Sequence, residues 1–413
     1  PLVWSVNVPV VNRAWIDLFT EFIGPNDLQP EQLAKSFAYR SYFNMGAIGD
    51  IFEILGMPRD ALEMLLGLES EAKPRFRPTA RTMRRLPRML LAAARLARHG
   101  KTVDGRVAVL SGEFQSYQRE DLMEIDDQHL LKRIDDLAHL TSQAAYQNIV
   151  TPVLANLYVS LLRGSFGRAG VEPDDLDFDL GDPDRPHDPN RALERFAEKL
   201  GNLDPSERRL IEDEGLEAVP GPLRKEFDGL LEEFGHLSDS GNDFSVPTWQ
   251  ERPDAVLRLA LGHATTTGTN QGLPWHEAAS RLGPIGRRVV KQLHRRASGF
   301  VDHREAVSSM YTFGYGLFRP LLLELGRRLA ERGLLQQPDD VMFLHIAEAK
   351  EALLDPRAAY SDTALSRKTE MGELLDADMP DVIFGDDFVP ARSNVQSASR
   401  LRGVATSRGR YRG

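Results

Sequence analysis

The chain of 413 residues contains no cysteine. That absence removes disulfide frameworks, Cys-ligated zinc or iron–sulfur sites and thiol nucleophiles, and it fits a reducing compartment. A basic excess is also missing, since 51 Lys and Arg stand against 61 Asp and Glu for a formal net charge of -10. Nucleic-acid binders rely on clustered positive charge, so no nucleic-acid partner is expected. Long hydrophobic runs are lacking too. The longest, Met89 to Ala97, is interrupted by Arg95 and falls short of the roughly 20 residues a bilayer span needs, so no membrane partner is expected. Pro1 is followed by no basic-then-apolar leader, and a cytoplasmic location is expected. Both ends read as cuts from a longer chain: Pro1 stands where Met would, and Gly413 carries no ending signal.

Several chemical motifs are absent as well. None of the ten histidines forms a His-Glu-x-x-His pair, so no metal site is expected. The stretch Gly262 to Gly272 is rich in Gly and Thr but lacks the Gly-Lys-Ser/Thr ending of a phosphate-cradling loop, and reads as a flexible connection. Val171 to Asn190 holds eight Asp or Glu and four Pro without an Asp-x-Asp-x-Asp-Gly calcium loop, and reads as an exposed acidic loop. No repeat recurs at a fixed period of about 20 to 50 residues.

What is present is helical periodicity. Apolar residues recur at spacings of three and four, and Ala, Leu, Arg and Glu dominate, which predicts a mainly α protein: an irregular multi-helix domain with few short strands. The clearest stripe lies in Arg304 to Arg332, where Val307, Tyr311, Tyr315, Phe318, Leu322, Leu325 and Leu329 share a face, with Pro320 expected to bend the middle and Gly333 past the end. A second long helix is expected from about Gln128 to Arg163, kinked or divided at Pro152 and packed on the first. Lys73 to Lys101 carries ten Lys and Arg among apolar residues and predicts an amphipathic helix with its Arg heads in water. The organisation expected is a helical part over 1–170, the acidic loop over 171–190, a second helical part of the same domain over 191–390, and a linker with the start of another domain over 391–413.

Four segments carry residues suited to chemistry. In GRRVVKQLHRRASG (Gly286 to Gly299), Arg287, Lys291, His294 and Arg295 fall on one helical face. Such a row suits phosphate, through the Arg fork and the Lys point charge, or forms a solvated face. GHLSDSGNDFSVPTW (Gly235 to Trp249) is a polar loop in which His236 is suited to acid–base work, with Asp239 or Asp243 to orient it and Asn242 nearby; turn and helix capping is the competing role. Arg304 precedes Glu305 at the start of the expected core helix, for a ligand or as an internal ion pair. YRSYFNMG (Tyr39 to Gly46) places Tyr42 and Asn44 among apolar residues, as a pocket lining or as core.

Taken in order, PLVWSVN (Pro1 to Asn7), YFNMGA (Tyr42 to Ala47), the Gly235 to Trp249 segment, HREA (His303 to Ala306), ELGRRLAERGLL (Glu324 to Leu335), DDVMFLHIAE (Asp339 to Glu348) and RLRGVATSRGRYRG (Arg400 to Gly413) resemble one family over nearly the whole chain. It is the phosphoenolpyruvate-utilising phosphotransferases with a swivelling phosphohistidine domain, organised like rifampin phosphotransferase and the pyruvate, water dikinase-like proteins. The resemblance implies the helical central domain that holds the acceptor. An ATP-grasp domain with ATP and Mg would charge a histidine on the mobile domain, and neither lies in this chain, which then binds no cofactor itself and is inactive alone. The partners implied are those two domains and a small-molecule acceptor. On this resemblance Arg287 and Lys291 would receive the phosphohistidine or the phosphoryl group, and His236 with Asp239 would handle the acceptor hydroxyl proton. Tyr42, Asn44, Asn242, Asp243 and Arg304 would bind the acceptor. Many relatives have Arg-Gly after the Gly-His, where this chain has Leu237-Ser238, and an acidic residue where it has Gly241. The acceptor therefore stays open as a hydroxyl or carboxylate compound, rifampin not assumed. A non-catalytic helical docking or regulatory module is the alternative.

Overall fold

The computed structural model of the chain describes residues 1–58, 77–118, 121–167, 171–172, 175–178, 180–181, 188–241, 243–263, 273–355, 357–374, 377, 379–380 and 383. Over these residues it is mainly α, with helices α1 (Leu2–Ile23), α2 (Met45–Leu55), α3 (Ala80–Arg98), α4 (Val103–Gln118), α5 (Asp127–Gly167), α6 (Pro189–Gly201) and α7 (Pro205–Glu214). The series continues with α8 (Gly221–Phe234), α9 (Pro253–His263), α10 (Trp275–Ser280), α11 (Pro284–Gly316), α12 (Phe318–Glu331), α13 (Ile346–Leu354) and α14 (Ser361–Leu374). The strands are short: β1 (Ala34–Phe37) pairs antiparallel with β2 (Arg40–Phe43), and β3 (Leu176–Asp177) pairs parallel with β4 (Leu273–Pro274). The segment 391–413, the centre of the acidic loop and Asn242 lie outside the described residues.

The two long helices form the spine. Leu130, Ile134 and Leu137 near the start of α5 share a core with Val307, Tyr311 and Tyr315 near the end of α11. Leu162 and Phe166 at the far end of α5 pack with Val290 and Ala297 near the start of α11, so the pair runs antiparallel. All seven residues of the expected stripe are buried. The two prolines act differently. The helix expected over 304–332 is two helices, because Pro320 has no N–H for the carbonyl of Gly316 and its ring crowds that carbonyl; α11 ends there and α12 restarts with Pro320 in its first turn, where no N–H partner is needed. Pro152, by contrast, lies inside an undivided α5, whose packing on both sides outweighs one lost backbone bond.

By length and composition α5 is also apolar enough to cross a membrane, which reading contiguous apolar runs did not detect. Its apolar residues serve the core: Leu130, Ile134, Leu137, Ala144, Val150 and Leu162 are buried against α1, α11 and α12. The fold is compatible with a soluble protein.

Helix ends follow local chemistry. Asn44 caps α2, and Gly56 closes it in the left-handed conformation that glycine adopts without a Cβ clash. Asp204 and Glu207 form a capping box on α7 with Pro205 at its first position. The basic helix α3 buries only Thr82 and Ala92, and its arginines reach across to α1: Arg85 donates to the carbonyl of Ile23 and Arg88 to that of Glu21, satisfying the end of that helix with positive charge. Helices α6 to α9 gather a core of their own around Phe196, Leu200, Phe227 and Val256.

Helix α12 ties the spine to the C-terminal elements. Arg328, 8% exposed, donates to Glu324, to Asp127 at the start of α5, and to the carbonyls of Leu122 and Ile125. At Gly326 the segment Pro338–Phe343 approaches so closely that a Cβ would lie 2.1 Å from the carbonyl oxygen of Pro338. Replacing Arg328 by Met should destabilise the protein by about 3 kcal/mol in urea unfolding, because it removes the charge that both carboxylates face and leaves two carbonyls unpaired. Replacing the half-exposed Arg332, which bonds the other oxygen of Asp127, should cost less than about 1 kcal/mol. Equal costs for the two would contradict the role given to burial.

Candidate functional site

Segments far apart in sequence converge on one cavity of about 770 Å³. One wall is the N-terminal half of α1 with Val3, Trp4, Asn7 and Val8; another is the tip of the β1–β2 hairpin, with Tyr39. The loop Asp243 to Pro247, Arg319 of α12, the stretch Gln337 to His345, and Lys368 and Met371 of α14 complete it. Apolar and aromatic walls thus enclose a few charged groups, the make-up of a small-molecule pocket.

The loop wall is held from behind. Arg319 makes a bidentate pair with Glu251 at 2.6 and 2.9 Å and donates to the carbonyls of Phe244 and Ser245. Burial raises the Glu251 pKa, but the bonds from Arg319 and Thr248 outweigh it and hold the carboxyl below its ordinary value. Asp243 accepts from the amide of Ser245 at 2.9 Å and from its hydroxyl at 2.5 Å, closing a turn.

The floor carries His345 and Lys368. His345 stands at the N-terminus of α13, where its amide donates to Glu348 at 2.8 Å. Burial, then the charge of Arg367, lower its pKa and keep it neutral. Lys368 donates to Asp340 at 2.8 Å and lies over the Phe343 ring. An ammonium has three N–H donors, and only this one bond is formed among the described residues. Opposite, the hairpin turns through Ala38 and Tyr39, both at positive φ (47° and 62°), the two-residue turn that glycine and asparagine adopt at least cost. Tyr39 is secured by a 2.5 Å bond to Glu370; burial and that carboxylate push its pKa up to about 12.

The residues singled out in the sequence do not share one place. Asp243 lines this cavity. Tyr42 in strand β2 and Asn44 just after it do not line the cavity, Tyr42 donating to the carbonyl of Pro380 and Asn44 capping α2 and bonding the carbonyl of Gln32. Asn242 lies outside the described residues. His236 faces a separate cavity of about 360 Å³ beside Phe313, with the Glu233 carbonyl accepting from its ring and Nε2 unpartnered among the described residues. Asp239 is exposed and accepts from Trp249, so it does not orient His236. Arg287 and Lys291 are exposed near the start of α11, Arg287 donating to the carbonyl of Leu282. Roughly 33 Å of that helix separates Lys291 from Phe313, so these cations and His236 are not neighbours. His294 leaves the basic row: it stacks on Trp275 and bonds the carbonyl of Phe178. Arg304 pairs with Glu305 at 2.7 Å, the internal ion pair weighed for it. Trp4, Arg319, His345 and Lys368 were not singled out as site residues. The first and third lie in segments that carry the resemblance, but nothing in local spacing marks Arg319 or Lys368. Among the described residues no three His, Asp or Glu are grouped to hold a metal ion.

No family model matches this chain. It is 24% identical over 183 residues to a protein of Mycobacterium bovis and to two of Mycobacterium tuberculosis, all three named only as uncharacterized. The match covers 44% of this chain and 20% of each relative, so the chain matches about a fifth of the length of these proteins.

Burial lowers the His236 pKa to about 4 from its ordinary 6.5, and His99, buried against the Thr151 hydroxyl, is lowered likewise. Between those pH values the unfolded chain binds more protons, so stability is full above pH 6.5 and falls as pH drops toward 4. His236 alone should contribute roughly 2 kcal/mol to this loss. Urea unfolding of His236→Gln across that pH range should show a shallower slope than the parent; an unchanged slope would refute a buried neutral imidazole. In the hairpin, Ala38→Asn should raise stability by roughly 0.5–1 kcal/mol, since asparagine tolerates positive φ, and thermal unfolding measures it.

Proposed function

We propose that this chain is the acceptor-binding central domain of an ATP-dependent phosphotransferase of the dikinase type. The overall reaction converts ATP, acceptor and water to AMP, phosphorylated acceptor and phosphate, with the phosphoryl group carried on a histidine of another domain. One observation supports this reading most: PLVWSVN, the DFSVP stretch and DDVMFLH, three of the segments that carry the resemblance, meet at the 770 Å³ cavity. A second fact agrees with it. The chain approaching its C-terminal segment is held to the hairpin that walls this cavity, where Arg40 and Tyr42 donate to the carbonyls of Ala377 and Pro380. A mobile domain tethered beyond that point starts close to the acceptor.

In this proposal the roles that the resemblance gives to Arg287, Lys291, His236 and Asp239 pass to residues of the cavity. Trp4, Met342 and Phe343 hold the apolar body of a hydroxyl or carboxylate compound. Lys368 brings positive charge to the phosphoryl group in transfer, which stabilises the charge spread over its oxygens. His345, whose burial favours the neutral ring, offers an N–H to the acceptor oxygen, and the free carboxylate oxygen of Asp243 accepts its proton. Arg319 is a positioning residue. ATP and Mg belong to the ATP-grasp domain, and an ATP-dependent reaction places the protein in the cytoplasm.

The test uses the full-length protein with ATP labelled at the β or γ phosphate and a panel of hydroxylated and carboxylate acceptors. AMP, a phosphohistidine and a labelled acceptor are expected. Lys368→Met should leave phosphohistidine formation intact and slow transfer to the acceptor about a hundredfold or more. Untouched ATP, or acceptor transfer that is indifferent to Lys368, would refute the proposal.

A further inference from the structure

Helix α3 turns its apolar side chains outward. Only Thr82 and Ala92 are buried in it, and Leu96 packs on the core around Trp15 and Phe19 of α1. The rest of its surface divides into two rows. Met83, Pro87, Leu90 and Ala94, spaced four, three and four apart, form one exposed apolar stripe with Leu91 at its edge. Met83 is 56% exposed, Leu90 63% and Leu91 54%. Arg81, Arg84, Arg88 and Arg95 form the second row, roughly a third of a turn away at ~100° per residue, and all four are exposed.

A helix that only covers a core buries its large apolar residues and gives its polar face to water. Here the apolar stripe itself faces water, beside cations that nothing on the helix offsets: from Arg77 to Lys101 there is no Asp or Glu. Arg88 reaches the carbonyl of Glu21, while Arg81, Arg84 and Arg95 make no hydrogen bond or ion pair among the described residues. The exposed rows also lack neutral hydrogen-bonding groups, since the one such side chain of α3, Thr82, is buried. Protein interfaces join apolar contact to hydrogen bonds from both partners. Alkyl groups beside guanidinium groups instead match acyl chains beside lipid phosphates. We propose that α3 docks the protein on the surface of an anionic bilayer, with Met83, Leu90 and Leu91 entering the acyl boundary and the arginine row resting on the headgroups. The expectation of no membrane partner rested on the lack of a spanning run, which a helix lying in the surface does not need. The docking is independent of the phosphotransfer proposal.

The full-length protein should co-sediment with vesicles of phosphatidylcholine and phosphatidylserine in roughly 7:3 ratio, and far less with phosphatidylcholine alone. Added salt should release it. Arg84→Gln combined with Arg95→Gln should weaken binding about twentyfold. Leu90→Gln combined with Leu91→Gln should weaken it about tenfold. Both variants should unfold at the parent's temperature, because these side chains stand in water in the free protein, and Lys368→Met should bind vesicles as the parent does. No binding to the anionic vesicles, equal binding to the neutral ones, or binding indifferent to both pairs of substitutions would overturn the proposal. So would a lipid-free dimer, seen by sedimentation velocity, that the two leucine substitutions dissociate, since the stripe would then belong to a second copy of the chain.

Discussion

Two guanidinium groups of helix α12, Arg319 and Arg328, sit out of water, and each must find fixed partners for its charge and its five N–H donors. Arg328 finds them at the start of α5 and in the turn before it; Arg319 finds them in the loop after α8. Because neither arginine can be left half-paired without a large desolvation penalty, α12 orients the parts around it. Close packing sharpens this constraint: Gly326 admits the backbone of Pro338 and Gly314 admits the ring of Phe114, where a Cβ would lie 2.3 Å from Phe114 Cζ.

The candidate site depends on that arrangement. Arg319 fixes the loop wall, the stretch held against Gly326 supplies the floor, and the salt bridge from Lys368 to Asp340 ties α14 to the same stretch. The strained Ala38–Tyr39 turn closes the top, and its hairpin is secured through Glu370, Ala377 and Pro380. Strain of this kind persists where surrounding contacts over-determine it, and such places are enriched at ligand sites.

Local chemistry made some of this legible beforehand. The stripe from Val307 to Leu329 is a matter of period, and period survives folding, so each member was correctly expected in the core. The consequences of proline were less legible. Pro320 and Pro152 are alike as sequence, and only the helices packed around each decide whether a chain breaks or carries on. Lys291 and His294 share a helical face by spacing, yet His294 turns to Trp275, an aromatic neighbour that spacing along one helix cannot supply.

By itself, then, the sequence determined the helical class, the buried stripe and the exclusion of thiol chemistry, because each depends on residue type or on neighbours within about one or two helical turns. Tertiary structure alone decided which polar residues meet. Trp4, Asp243, Arg319, His345 and Lys368 are spread over more than 360 positions and come to one cavity, and the pairing of a charge across such distances depends on how whole helices pack. The same limit explains why His236, Asp239, Arg287 and Lys291, all plausible by type, lie in three different surroundings: chemical suitability is a property of a side chain, whereas proximity is a property of the fold.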